Sequence, residues 1–440
     1  MSKGADEYDV IVVGAGAAGL AAAAHLGRNG KSVCILEARD RVGGRILTVR
    51  PRGAVVPLEL GAEFIHGESP CVFEQLRLAG DVAVDAAQTR HRAPQPGRLR
   101  QSEDLFDTMK RRLKSIPKPR VDLPFAEFLD KHRRQLSPTV RSFATMLVEG
   151  FDAADPARAS AIEILKEWGG GSAADAPTFR PQRGYGALMD SLAGSLDPAK
   201  ACVQLDSVVN EIRWRRGEVN VLFTRHGEPD EVRASQAVIT LPLAVMQLPA
   251  LTPGSVLFTP SLPRKQLPLS RLLMGPVVKL VLCFSKPFWA ELEDGEHRDV
   301  AFFHAQGAPF PTFWSTLPVR TPILTAWSGG PKAMRLVGRS TDEILRPCLD
   351  SVAEIFGKRR DYRKMLEGVY WHDWQNDPYS SGAYSFAAVG GGPARRQLAR
   401  SVEQTLFFAG EALDEEESSS VGGALNTGQR AARELLQVAI

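Results

Sequence analysis

Residues 9–45 read DVIVVGAGAAGLAAAAHLGRNGKSVCILEARDRVGGR, and this stretch decides the fold. Val10–Val13 is an apolar run of strand length, suited to a buried parallel strand. Gly14, Gly16 and Gly19 follow in the spacing G-x-G-x-x-G, an Ala-rich helical pattern runs on to Leu26, and Asn29-Gly30 stops it. A second apolar strand, Val33–Leu36, leads directly to Glu37. Each part of a βαβ unit stands in its place. Gly14 allows the tight turn, Gly16 lets backbone N–H groups approach a pyrophosphate, and Gly19 allows close packing of helix on strand. Glu37, roughly twenty residues on, is placed to accept hydrogen bonds from an adenosine ribose. A carboxylate there, rather than an arginine, argues against a 2′-phosphate. The motif alone does not choose between a nicotinamide and a flavin dinucleotide.

With 440 residues the chain exceeds one simple core, and two domains are expected. Its composition is that of a globular protein, and a net charge of +3 gives no global electrostatic case for a nucleic-acid or membrane partner. The five cysteines are scattered with no C-x-x-C pair, which suits reduced thiols in the cytoplasm and neither a disulfide frame nor a metal site. The polar start, MSKGADEYDV, reaches the first strand at once and leaves no room for a signal peptide. The closing ELLQVAI is too short to span a bilayer.

Moving outward, Gly43-Gly44-Arg45 suggests backbone lying close to a ligand with a guanidinium beside it. In Glu59-Leu60-Gly61-Ala62-Glu63-Phe64-Ile65-His66-Gly67, Gly61 and Ala62 keep bulk away. His66, taken alone, reads as structural or exposed rather than catalytic. From Pro70 to about Gly170 the signal is helical, with Ser137-Pro138 as N-cap and first-turn proline; His91–Gly97 and Ile116–Pro124 read as linkers or surface loops. This block interrupts the dinucleotide fold and starts an inserted domain. Short strands over 201–205, 208–214, 219–224 and 237–241 suggest that the first domain then resumes.

Val277–Phe284 is the most β-like stretch of the second half, and period two puts Lys279 on one face with Val277, Val281 and Cys283. Such a lysine either guards an exposed strand edge, the reading preferred from the residues alone, or is buried with a partner or a bound water. Aromatics are dense from Phe302 to Trp327, as in a core or an apolar pocket wall. Trp371, Trp374 and Tyr379 read as packing. Near the end, Thr405–Glu411 is a buried strand running into Gly410 and a carboxylate, and Ser420-Val421-Gly422-Gly423 opens the last helix. Free N–H groups there suit a developing negative charge.

These motifs, in this order over nearly the whole length, resemble the flavin-containing amine oxidases: monoamine oxidases, polyamine oxidases and flavin-dependent histone lysine demethylases. The resemblance implies an α/β fold, with a Rossmann-like FAD-binding domain (1–80, 183–270 and 398–440) interleaved with an α+β substrate-binding domain (81–182 and 271–397). It implies that Gly14, Gly16 and Gly19 hold the pyrophosphate and Glu37 the ribose, that Arg39, Gly44 and Arg45 line phosphates and flavin, and that Gly61 and Ala62 pass the isoalloxazine. Val209 would pair with adenine through its main chain, Glu411 would contact the ribityl or pyrophosphate region, and Val421 would sit at the flavin N1–C2=O edge. Lys279 matches the family lysine that holds a water near flavin N5, which reverses the edge reading. Tyr384 matches an aromatic beside the substrate amine.

Two departures matter. Ala383 stands where monoamine oxidases carry a cysteine bonded to FAD, which implies non-covalent FAD. Ser420 stands where monoamine oxidases place a second aromatic; in having a small residue there the chain is similar to the polyamine oxidases and demethylases. Phe64-Ile65-His66-Gly67 is similar to a polyamine oxidase turn with Phe for Trp.

The implied activity is hydride transfer from an amine α-carbon to flavin N5, with imine hydrolysis and H2O2 from O2, closest to polyamine oxidation. Lys279, His66 and Tyr384 would be the catalytic residues. The partners are a small amine and O2, with no nucleic acid and no membrane; the oligomeric state stays open. Alternatives are an amino-acid oxidase, a protoporphyrinogen- or carotenoid-type desaturase, and a flavin-binding scaffold without turnover.

Overall fold

The computed structural model describes residues 7–169 and 177–438. β1 (Glu7–Val13), α1 (Ala17–Arg28) and β2 (Val33–Leu36) form the expected unit. β1 and β2 are parallel, with Val10 opposite Val33 and Val13 opposite Leu36. Strand 201–204 continues the sheet beyond β2, and the strand Glu228–Ile239 lies on the other side of β1, also parallel. Its second half pairs with Leu406–Phe408, while its first half folds back on Glu218–Arg225 and then Ser207–Arg215. Val10–Val12 and Val33–Ile35 have no exposed surface, as expected of parallel strands covered on both faces.

The ends of the chain meet on this sheet. α1 packs along the last helix, Val421–Leu436. Contact is close because Gly428 lies against the backbone of Ala18, where a Cβ would come within 2.1 Å of the Ala18 carbonyl oxygen. Gly14 has φ +104°, a conformation that L side chains rarely adopt. At Gly19 a Cβ would sit 1.9 Å from the Gly14 carbonyl oxygen. Gly19→Ala is therefore expected to destabilise the chain by about 2–3 kcal/mol. Gly27→Ala, in the same helix where a Cβ meets nothing within 4 Å, should stabilise it by about 0.5–1 kcal/mol. Urea unfolding of the two variants side by side checks both signs.

A second sheet runs in the order 366–370, 277–284, 323–329, 312–315, 302–304, 90–95, 98–101. Here the sequence reading needs two corrections. The segment His91–Gly97 is no linker: Arg90–Gln95 and Arg98–Gln101 form a hairpin on this sheet. Its register shifts between Arg92 and Gln95, so Pro94 falls in the bulge, where a missing N–H costs no ladder bond. Nor is Lys279 on an exposed edge. Its strand lies between 323–329 and 366–370, and the lysine is buried opposite Trp327. The helical block does hold from Glu103 to Gly169, with Ser137 capping the helix Pro138–Gly150 through its Oγ; Gly170 lies outside the described residues. Among the described residues no helix is long and apolar enough to cross a membrane.

Candidate functional site

A continuous cavity of about 1140 Å³ lies between the two sheets, lined at one end by Gly14, Gly16, Glu37 and Val209 and at the other by Tyr384, Trp327 and Asp152. The nucleotide-like end follows from the βαβ unit. Glu37 is buried just past β2, and its carboxylate accepts from the Ala15 N–H at 2.8 Å and the Arg39 N–H at 3.0 Å. At Gly16 a Cβ would meet nothing within 4 Å, so this turn faces open space at the start of α1. Val209 is buried beside a bulge in its strand, which interrupts the ladder between Val209 and Glu211.

The turns that line the cavity are tied together by hydrogen bonds. Glu59 accepts from the Tyr185 N–H at 2.7 Å and the Thr48 hydroxyl at 2.7 Å, joining the Glu59–Ala62 turn to Gly184-Tyr185-Gly186. Gly61 packs on the Arg45 backbone, where a Cβ would lie 1.9 Å from the carbonyl oxygen. Arg45 donates to Glu411 Oε1 at 2.8 Å and to the Ala383 carbonyl at 2.9 Å, so one guanidinium ties the early glycine turn to both late segments. Glu411 also accepts from the Ser385 hydroxyl at 2.8 Å. Arg39 pairs with Asp377 at 2.7 Å. Burial acts to raise the Asp377 pKa, but hydrogen bonds from His372 and Arg39 hold that carboxyl well below its usual value. Ser420 caps the last helix, accepting from the Gly423 N–H at 3.0 Å, with Val421 as its first residue. Gly44 and Ala62 also line the cavity.

At the other end, Tyr384 lies nearly parallel to Trp327, with ring centroids 6.4 Å apart, and its hydroxyl donates to the Phe151 carbonyl at 2.7 Å. Burial, followed by the charges of Asp152 and Glu167, raises its pKa, so it stays a phenol. Trp374 and Tyr379 line the cavity too, which corrects their reading as packing alone; Trp371 does pack on the core.

His66 lies in the cavity wall with its Nδ1 unpartnered, edge-on to Phe151 at 5.3 Å. Burial pushes its pKa down to about 4. Its neutral form is thus the folded form, and a chain unfolded near pH 5 takes up a proton that the native site refuses. Stability should therefore fall by up to about 3 kcal/mol as pH drops from about 6.5 to about 4. His66→Gln should lose that component, measured by unfolding at pH 7 and pH 4.5.

Lys279 donates to Glu63 Oε2 at 2.8 Å and to the Gly61 carbonyl at 3.0 Å. Glu63 Oε1 accepts from Arg180 Nε and Trp314 Nε1, both at 2.9 Å. Burial acts to raise the Glu63 pKa, yet Lys279 and then Arg180 outweigh it and bring it down to about 2. Sequence reasoning quoted Glu63 without giving it a role and missed Arg180; both stand in unremarkable local patterns, and only the sheet pairing brings them to Lys279.

It also missed an acid pair. Asp152 and Glu167 are hydrogen-bonded carboxyls lining the cavity, with Asp152 Oδ2 unpartnered. Burial first, and then the charge of Glu167, raises the Asp152 pKa well above the usual range. Glu167 opens onto the cavity while protein surrounds it, and burial raises its pKa as well. Asp152 is buried and Glu167 is exposed, so a single negative charge is better solvated on Glu167 and the shared proton stays on Asp152.

Comparison with known proteins places this geometry. Residues 17–436 match the family described as "Flavin containing amine oxidoreductase". Lysine-specific histone demethylase 1 homolog 3 of Arabidopsis thaliana is 28% identical, over 98% of this chain and 30% of that protein. The chain thus spans about a third of that relative, and about half of the human Lysine-specific histone demethylase 2. Polyamine oxidase 3 of Oryza sativa subsp. japonica is 27% identical, over 96% of this chain and 88% of its own. A putrescine oxidase solved with putrescine bound superposes with a TM-score of 0.81 over 98% of this chain and all of its own, at 22% identity, a likeness of fold. With the dinucleotide turn, the buried lysine strand and the carboxylate before the last helix all facing one cavity, and with the match running almost from end to end, the chain belongs to the flavin-containing amine oxidoreductases.

Proposed function

We propose that this chain is an FAD-dependent amine oxidase whose substrate carries a second cationic nitrogen, a diamine or polyamine. The single observation that carries the substrate class is the Asp152–Glu167 pair, set beside Tyr384 in the same cavity as the dinucleotide turn. A carboxyl pair with one buried and one cavity-facing member, holding one proton and one negative charge, suits one distal ammonium.

The residues present fit FAD. The glycine turn at Gly14 and Gly16 opens onto the cavity, Glu37 is buried at its rim, Gly44 and Gly61 line it without bulk, and Arg45 brings a guanidinium to it. In this reading Gly14, Gly16 and Gly19 serve the pyrophosphate, Glu37 the ribose and Val209 the adenine; Arg39 and Glu411 flank the chain between them, and Val421 offers the first N–H groups of the last helix to the ring. Segments 1–80, 183–270 and 398–440 would form the FAD side, and 81–182 and 271–397 the substrate side. Ala383 carries no nucleophile, so FAD is held without a covalent bond. Bound FAD supplies a two-electron acceptor for hydride from the amine α-carbon, with O2 as the final acceptor and H2O2 as product.

The chain's own residues bind and orient. Trp314, Trp327 and Tyr384 exclude water from the reacting carbon. His66, neutral through burial, lines the cavity and adds no proton of its own. Lys279 keeps a donor near the acceptor end. A carboxylate-bearing substrate is disfavoured by the acid pair, which argues against amino-acid oxidation.

The test is peroxide release from the FAD-loaded protein over matched mono-, di- and polyamines. Di- or polyamines should show the higher kcat/KM. A protein that holds FAD which no amine bleaches under anaerobic conditions is not an amine oxidase.

A further inference from the structure

Glu63 follows the Gly61-Ala62 turn, and its carboxylate reaches three groups on three separate strands: Arg180 on Thr178–Pro181, Lys279 on Val277–Phe284 and Trp314 on Thr312–Ser315. The hydrogen-bond count around it is nearly closed. Arg180 uses its remaining nitrogens on the Leu317 and Ser315 carbonyls, at 2.9 and 3.2 Å, and lies over the Phe64 ring. The Lys279 ammonium has three N–H donors, of which Gly61 and Glu63 take two, and the lysine lines the cavity. Two cations and one carboxylate leave the cluster with one net positive charge.

Resting on the FAD reading above, we propose that Glu63 is a positioning residue: it holds Lys279 as an ammonium with a single N–H left for the cavity, and it halves the positive charge presented to the flavin. Without the carboxylate, two cations face each other in a pocket walled by Phe64 and Trp314. A guanidinium does not give up its proton, so Lys279 is the one that sheds its charge as pH rises. Glu59, whose pKa burial raises to about 7, also faces the lysine; it senses Glu63 as well as Lys279, and the Lys279→Met background below exposes any transition that Glu59 contributes alone.

The experiment uses sulfite, an anion whose binding to flavin bleaches the visible band and tightens with nearby positive charge. The ratio of sulfite dissociation constants between Glu63→Gln and the unaltered protein is measured from pH 6 to pH 9, so that the pH dependence of sulfite itself cancels. A buried charge in a protein-like dielectric is worth about tenfold here, so binding should be about tenfold tighter in the variant at pH 6 and equal by pH 9. In a Lys279→Met background the same ratio should not change with pH. A flat ratio in the first comparison, or a transition that persists without the lysine, overturns the proposal. Where Glu63→Gln does not retain flavin, Arg180→Met tests the same charge balance from the other side: sulfite should bind about tenfold more weakly, and unchanged binding overturns the proposal. An unaltered protein that shows no flavin band refutes the FAD reading itself, which separates the two failures.

Discussion

Lys279→Met in the FAD-loaded protein is expected to slow anaerobic bleaching by amine, or reoxidation by O2, about 100-fold or more. The expectation comes from what the substitution removes and what it leaves. Methionine nearly matches the lysine stem in length, so the strand packing opposite Trp327 survives. Glu63 keeps Arg180 and Trp314 on Oε1 at 2.9 Å, so its charge is not stranded, while Glu63 Oε2 and the Gly61 carbonyl each lose a donor. The stability cost should stay near about 1–3 kcal/mol, below that of breaking an isolated buried ion pair. What disappears is the cavity's own N–H donor and the net charge of the cluster. Stopped-flow absorbance resolves the two half-reactions. If both rates match the unaltered protein while flavin stays bound, Lys279 has no part in the chemistry.

The contrast between Lys279 and Glu63 marks how far residues alone could be read. The βαβ start was legible because strand, glycine turn, helix and Glu37 are local, and each has a steric or electrostatic reason visible in a short window. The N-cap at Ser137, followed by Pro138, was legible for the same reason. Period two put Lys279 on a face but could not say whether that face met solvent. The deciding neighbours, Gly61, Glu63 and Trp327, lie far away in sequence. Pro94 was misread because a bulge in a distant pairing is what makes a proline acceptable there. Asp152 and Glu167 gave no signal, since an acidic residue after Phe151 and one in a helix that also carries Glu163 and Lys166 look like ordinary polar positions. Only the cavity turns them inward.

That acid pair yields the second large effect, and its two members should behave differently. Glu167→Gln is expected to lower kcat/KM for a diamine about 100-fold while changing that for a monoamine of equal chain length by less than about threefold. In the proposed reading the charge that meets a distal ammonium resides on Glu167, the exposed member of the pair, while the buried Asp152 keeps the proton. Asp152→Asn keeps a donor toward Glu167 and removes no charge, so its loss for diamine should stay within about fivefold. Stability separates this loss of recognition from damage to the fold. Burial raises the Glu167 pKa above 4.5, so the folded state is penalised increasingly as pH rises past that value, and the penalty vanishes at lower pH. Glu167→Gln should therefore unfold at higher urea than the unaltered protein at pH 8 and at the same urea near pH 4, while losing diamine turnover. Equal losses for monoamine and diamine, or equal effects of the two substitutions, would remove the acid pair from substrate recognition.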